Sequence, residues 1–196
     1  MKRASLWVVA GPNGAGKSTL VERYLRGRLP LVNPDNLQRE QGLTARRAGE
    51  LAIAAQNNYL DARESFVFET TLSGRRELSV MARAKKDGYT INLVFVGVRS
   101  PKTSITRIET RVAAGQHHVP PEDVVRRFAR SLAQLPEAMA LSDRIYVVDN
   151  SQRSRRLVLS IERNRVKFVS RNLPAWLKRA LPKELNLARG GPDISR

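Results

Sequence analysis

The stretch WVVAGPNGAGKST, residues 7–19, runs from an apolar segment into a glycine-rich loop that ends in lysine, serine and threonine. Gly11, four intervening residues, then Gly16, Lys17 and Ser18 have the spacing of a P-loop. The context suits the motif: Leu6 to Val9 reads as a buried strand, and Thr19 to Leu25 as the start of a helix. Glycines allow backbone N–H groups to turn inward around phosphates at a helix N-terminus. Gly11, Asn13, Gly14, Ala15, Gly16, Lys17, Ser18 and Thr19 are therefore the candidate nucleotide-binding residues. In that set Lys17 brings positive charge to the β and γ phosphates, and the hydroxyl of Ser18 is placed to ligate Mg²⁺.

The rest of the composition narrows the class. A chain of 196 residues has room for one sizeable core. No apolar run approaches the length needed to cross a bilayer, and MKRASLWVVAG lacks a signal-like cleavage region, so a cytoplasmic protein with no membrane partner is expected. With no cysteine there is no disulfide, no thiolate catalysis and no cysteine-held metal. The two histidines, His117 and His118, are adjacent, which argues against a zinc site. The net charge of +17 is unusual. It suits a nucleic-acid partner, an acidic protein partner or a cleft for polyanionic substrates, and equally a basic, solvated surface. The basic residues are dispersed and lack the interleaved aromatics of a single-strand platform, so nucleic acid is not the favoured partner.

Along the chain, strands alternate with helices as in an α/β fold with a mostly parallel central sheet and helices on both faces. The pattern predicts a short strand in LPLVNPD ending at Asp35, and a helix from about Leu43 to Glu64. The strand SFVFET follows, then a helix from about Gly74 to Lys86 and the strand TINLVFVGV. A helix capped by Ser100, with Pro101 in its first turn, is expected to end at Gly115. Another opens at Pro121 and is expected to be interrupted or kinked near Pro136. RIYVVD reads as a further core strand. RLVLSIERNRVKFVS reads as an edge hairpin turning at Asn164, and PAWLKRAL as a short helix. One kinase-type domain over residues 1–182 is expected, with a helical lid at about 101–140 and a disordered tail from 183 to 196.

LSGRR at 72–76 superficially resembles the transporter-ATPase signature, but the next strand ends FVGVRS, without the carboxylates such ATPases place there. No Asn-Lys-x-Asp guanine motif is present either. Two acidic residues remain at expected strand ends, Asp35 and Glu69, and in an open α/β sheet that edge holds the ligand crevice. One carboxylate could accept the proton of an attacking hydroxyl, and the other could sit against the Mg²⁺ shell or grip substrate hydroxyls. Asp35 after Pro34 is equally readable as a turn residue. Arg107 and Arg111 share a helix face, and Arg126, Arg127 and Arg130 cluster on the next helix. Such a pair of helices can act as a lid that sets guanidinium groups on a transferring phosphoryl group, or simply present a solvated basic face.

GPNGAGKST, NPD, FETTLSG, RV followed by GQHHVP, then RRF and DNS resemble, in order and spacing, the zeta-toxin-like P-loop kinases over about residues 5–151. The resemblance implies a phosphotransferase that uses ATP and Mg²⁺, with Asp35 as the base that activates an acceptor hydroxyl. It implies that Glu69 and Thr71 contact the acceptor, with Arg75 in the same segment as a further candidate, and that Arg107 and Arg111 stabilise the transferred phosphate. Toxins of this family phosphorylate UDP-N-acetylglucosamine and are restrained by a small helical antitoxin, so a sugar-nucleotide acceptor and an antitoxin partner are implied. The functional expectation is a small-molecule kinase; a polynucleotide-directed kinase and a nucleotide-dependent binding module are the alternatives.

Overall fold

A computed structural model describes residues 3–113 and 119–182. His117, His118, Gln116, the expected helix end at Gly115 and the expected disordered tail lie outside the described residues. The elements are β1 (Ser5–Ala10), α1 (Lys17–Tyr24), β2 (Leu31–Val32), α2 (Pro34–Gln41), α3 (Ala45–Asp61), β3 (Phe66–Thr70) and α4 (Arg75–Lys86). There follow β4 (Thr90–Gly97), α5 (Pro101–Ala113), α6 (Pro121–Leu141), β5 (Arg144–Asp149), β6 (Arg156–Glu162), β7 (Arg165–Val169) and α7 (Ala175–Ala180). The strands form one seven-stranded sheet in the order β2-β3-β1-β4-β5-β6-β7. Strands β2 to β5 are parallel throughout, whereas β6 and β7 join antiparallel at the edge. This is the mixed α/β architecture expected, including the edge hairpin, whose turn places Arg163 and Asn164 at φ of 47° and 61°.

The central strands are apolar on both faces because both are covered. Along β4, Ile91, Leu93 and Phe95 enter one core with residues of α3, α4, α6 and α7, while Val94, Val96 and Val98 face a smaller core with α1 and Phe128. β1 lies between β3 and β4, so the loop that follows it emerges in the middle of the sheet edge where the parallel strands end.

Two expectations need correction, and a third is narrowed. The strand in LPLVNPD stops at Val32; Asn33 caps a helix that already contains Asp35, its side chain accepting from the Asp35 and Asn36 N–H groups. Pro34 suits that first turn, where no N–H partner is needed. The alanine-rich helix begins at Ala45, where Thr44 caps it, and ends at Asp61. Finally, α6 runs through Pro136 without interruption, held on the core by Leu135, Ala138 and Met139.

Candidate active site

Side chains are excluded from the P-loop at three glycines, one of them Gly14, where a Cβ would lie 2.7 Å from the Ser104 carbonyl oxygen. A Cβ on Gly11 would collide with the carbonyl of Val96 in β4, and Gly16, at φ 91°, would set one 2.6 Å from Asn150 Nδ2. Gly16 is also the N-cap of α1, so the loop opens directly onto a helix N-terminus. Gly14 and Ala15 complete the turn, with the Ala15 N–H donating to the Pro12 carbonyl at 3.2 Å. Asn13 lines the cleft, and its Oδ1 is buried with no hydrogen-bond partner among the described residues. A glycine-formed cradle with an orphaned polar atom beside it fits a nucleotide phosphate group.

Lys17 is only 8% exposed, and its Nζ donates to the Pro12 carbonyl at 3.0 Å. Burial holds its amine below the ordinary value of 10.5, opposed by the nearby Glu69 and Asp35 carboxylates and aided by the Arg111 charge. Four charged groups from α1, α2, β3 and α5 thus converge on one point.

Next to Lys17, Ser18 Oγ donates to Glu69 Oε1 at 2.7 Å, and Asn33 Nδ2 donates to Glu69 Oε2 at 2.8 Å. Glu69 is 7% exposed, so both carboxylate oxygens are satisfied by partners that also border the P-loop. A buried carboxylate bonded to the P-loop serine hydroxyl is a donor set suited to Mg²⁺. No group of three or more acidic or histidine ligands occurs among the described residues, so such an ion would draw its other ligands from phosphate and water.

Two cavities meet at this point. One, of about 700 Å³, extends past Ser18, Thr19 and Asn33 to Arg39 and Arg111. The other, of about 380 Å³, runs beneath α3 between Lys17, Gln56, Thr71, Arg76 and Arg127. Asp35 and Glu69 border both. Room under α3 comes from its inward stripe, in which the small Ala48 and Ala52 precede the buried Gln56.

Lys17, Ser18, Asp35, Glu69, Thr71 and Arg111 are therefore brought together. Thr71 lies just beyond β3, with its hydroxyl 2.9 Å from that of Ser73. Arg75 is not at the cleft: its side chain, 78% exposed, pairs with Glu137 of α6 at 2.8 Å, and its neighbour Arg76 faces the smaller cavity instead. Arg107 is half-buried on α5 and lines neither cavity. Arg127, one member of a cluster in the sequence, reaches the smaller cavity because it flanks the face of that helix that Val124 and Phe128 turn into the core, whereas Arg126 points away from it.

The zeta toxin profile matches residues 2–162. The chain belongs to the zeta toxin family. A similar sequence is an uncharacterized protein of Haemophilus influenzae, 29% identical over 138 residues that cover 64% of this chain and 98% of that protein. Among solved structures, the PezAT chromosomal toxin-antitoxin system of Streptococcus pneumoniae matches at TM-score 0.59 and 19% identity, over 97% of this chain and 89% of that one. An AvrRxo1-ORF1:-ORF2 complex with ATP matches at TM-score 0.67 and 16% identity over 84% of this chain. The match spans 60% of that neighbour's own length. These likenesses show the fold for this zeta toxin family member, a mixed α/β fold with a mostly parallel central sheet. No helix among the described residues is long and apolar enough to cross a membrane.

Proposed function

We propose that the chain is an ATP-dependent phosphotransferase that moves the γ-phosphate to a hydroxyl of a small-molecule acceptor. The observation that carries this reading is the position of Asp35, on the border of both cavities and close enough to Lys17 to act on its charge. A carboxylate there stands between a phosphate cradle and a second cavity.

The P-loop amides and Lys17 hold the phosphates, and Lys17 is kept from water so that its charge acts at full strength on them. Mg²⁺, held by Ser18 with Glu69 behind it, would neutralise phosphate charge when bound. Glu69 was a candidate for either the metal shell or the acceptor; its bond to Ser18 favours the metal side. Asp35 takes the proton of the acceptor hydroxyl. Thr71 and Arg76 line the space for that acceptor, and Arg111 and Arg127 bring positive charge to the transferring group from the two lid helices. Membership in the zeta toxin family supports UDP-N-acetylglucosamine as the first acceptor to try and an antitoxin as a partner.

The deciding experiment is incubation with γ-labelled ATP and a panel of neutral sugars, sugar phosphates, sugar nucleotides and oligonucleotide ends. Label on a small molecule supports the reading. Label on oligonucleotide ends, or ATP hydrolysis unaffected by every acceptor, would replace it.

A further inference from the structure

The segment DNS at 149–151 has no part in the scheme above, yet the structure ties it to the phosphate cradle. Asn150, just past β5, donates from Nδ2 to the Ala15 carbonyl at 2.8 Å, and its own N–H donates to the Gly97 carbonyl at 2.8 Å. The side-chain Nδ2 also occupies the space that a Cβ on Gly16 would need. One residue thus fixes, through its side chain, the two residues immediately before Lys17 and, through its backbone N–H, fastens them to the end of β4.

Behind Asn150 lies a buried anchor. Asp149 is 4% exposed, and its Oδ1 accepts from the Trp176 indole Nε1 at 3.0 Å. Its carboxylate also accepts from Ser151 and Arg156. The Trp176 ring packs against Gly97 at the point where any Cβ would collide with it, and lies tilted against Phe95, with ring centroids 6.0 Å apart. The short helix α7, nearly 160 residues after the P-loop in sequence, therefore abuts both strand ends that hold Asn150.

We propose that Asn150 is a positioning residue that holds the P-loop in its phosphate-accepting shape, and that Trp176 secures it through Asp149. A loop rich in glycine loses more chain entropy on ordering than any other, so an external clamp has a large effect on its occupancy of one shape. The Ala15 carbonyl is the acceptor that would otherwise turn toward bound phosphate and repel it. Holding that carbonyl outward leaves the loop's N–H groups facing in.

The test compares wild type with Asn150→Ala, Asn150→Asp and Trp176→Phe by amide hydrogen exchange without nucleotide, and by affinity for a fluorescent ATP analogue. Loss of one such hydrogen bond is expected to speed exchange over residues 11–17 by about tenfold in both Asn150 variants, with β1 and β4 unchanged. ATP-analogue affinity should weaken by about the same factor. Trp176→Phe, which keeps a ring against Gly97 but lacks the indole donor, should give a smaller effect in the same direction, and little more when added to Asn150→Ala. Unaltered P-loop exchange in both Asn150 variants would overturn the proposal. So would exchange that rises equally in β1 and β4, which marks a general loss of packing. The affinity measurement rests on the kinase reading, whereas the exchange measurement does not: failure of wild type to bind the analogue sinks the former and leaves the clamp decided by exchange.

Discussion

At Lys17, burial and charge oppose one another, and the outcome is measurable. With the folded amine lowered from 10.5, the unfolded chain binds that proton more readily, so stability without ligand rises with pH between the lowered value and 10.5. Phosphates bound beside the amine favour its charged form. ATP binding within that window is therefore expected to take up protons, and less so as pH falls below it. Calorimetry in two buffers of different ionisation enthalpy checks this, and buffer-independent heats would contradict it. Asp35 offers a separate test. Asp35→Asn keeps the size of the side chain but cannot take a proton, so acceptor phosphorylation should drop about 10²- to 10⁴-fold while ATP affinity persists. A collapse of ATP affinity with the saturated rate preserved would instead make Asp35 an anchor for nucleotide.

Among elements, α5 and α6 divide the arginines. Arg111→Ala and Arg127→Ala should each lower the rate at saturation by roughly 10²-fold with little change in ATP affinity, because their contacts strengthen as charge spreads over the transferring group. Arg107→Ala, outside both cavities, should cost much less. Single-turnover kinetics beside equilibrium binding separates these outcomes, and equal losses in rate and affinity would reduce the arginines to ground-state anchors. That division was not visible in sequence, where Arg126 and Arg127 are equivalent until burial of Val124 and Phe128 sets the rotation of α6. The strand-loop-helix around Gly16 was legible because backbone geometry there admits few residues. By contrast α2 was hidden: it buries no residue, so it carries no apolar period, and only the Asn33 cap and Pro34 signal it. Of the two outcomes expected at Pro136 the interruption does not occur, since packing of its neighbours outweighs the one hydrogen bond it removes. The link from Ser18 through Glu69 to Asn33 spans separations of 51 and 36 residues, beyond the reach of any local pattern.

For the molecule as a whole, the charge of +17 requires its own measurement. If the arginines serve a phosphate cleft and solubility, binding to random RNA or DNA should fade steeply as salt rises to physiological levels, because counterion release alone drives it. Fluorescence anisotropy across a salt series, with phosphorylated and hydroxyl-ended oligonucleotides, checks this. A salt-resistant preference for a hydroxyl end would favour a polynucleotide acceptor.

The strand order also governs the way the chain is assembled. β1 is made first but lies between β3 and β4, so neither edge of it can be closed by its sequence neighbours. A growing chain must carry this apolar strand unpaired until residue 70 has emerged, and half-paired until residue 97. Pairing over such separations is slow and leaves open edges that invite association with other chains. N-terminal fragments that stop before β4 should therefore aggregate or remain bound to chaperones, and the phosphate cradle, which leans on Val96 and Asn150, can form only once residue 150 has been synthesised.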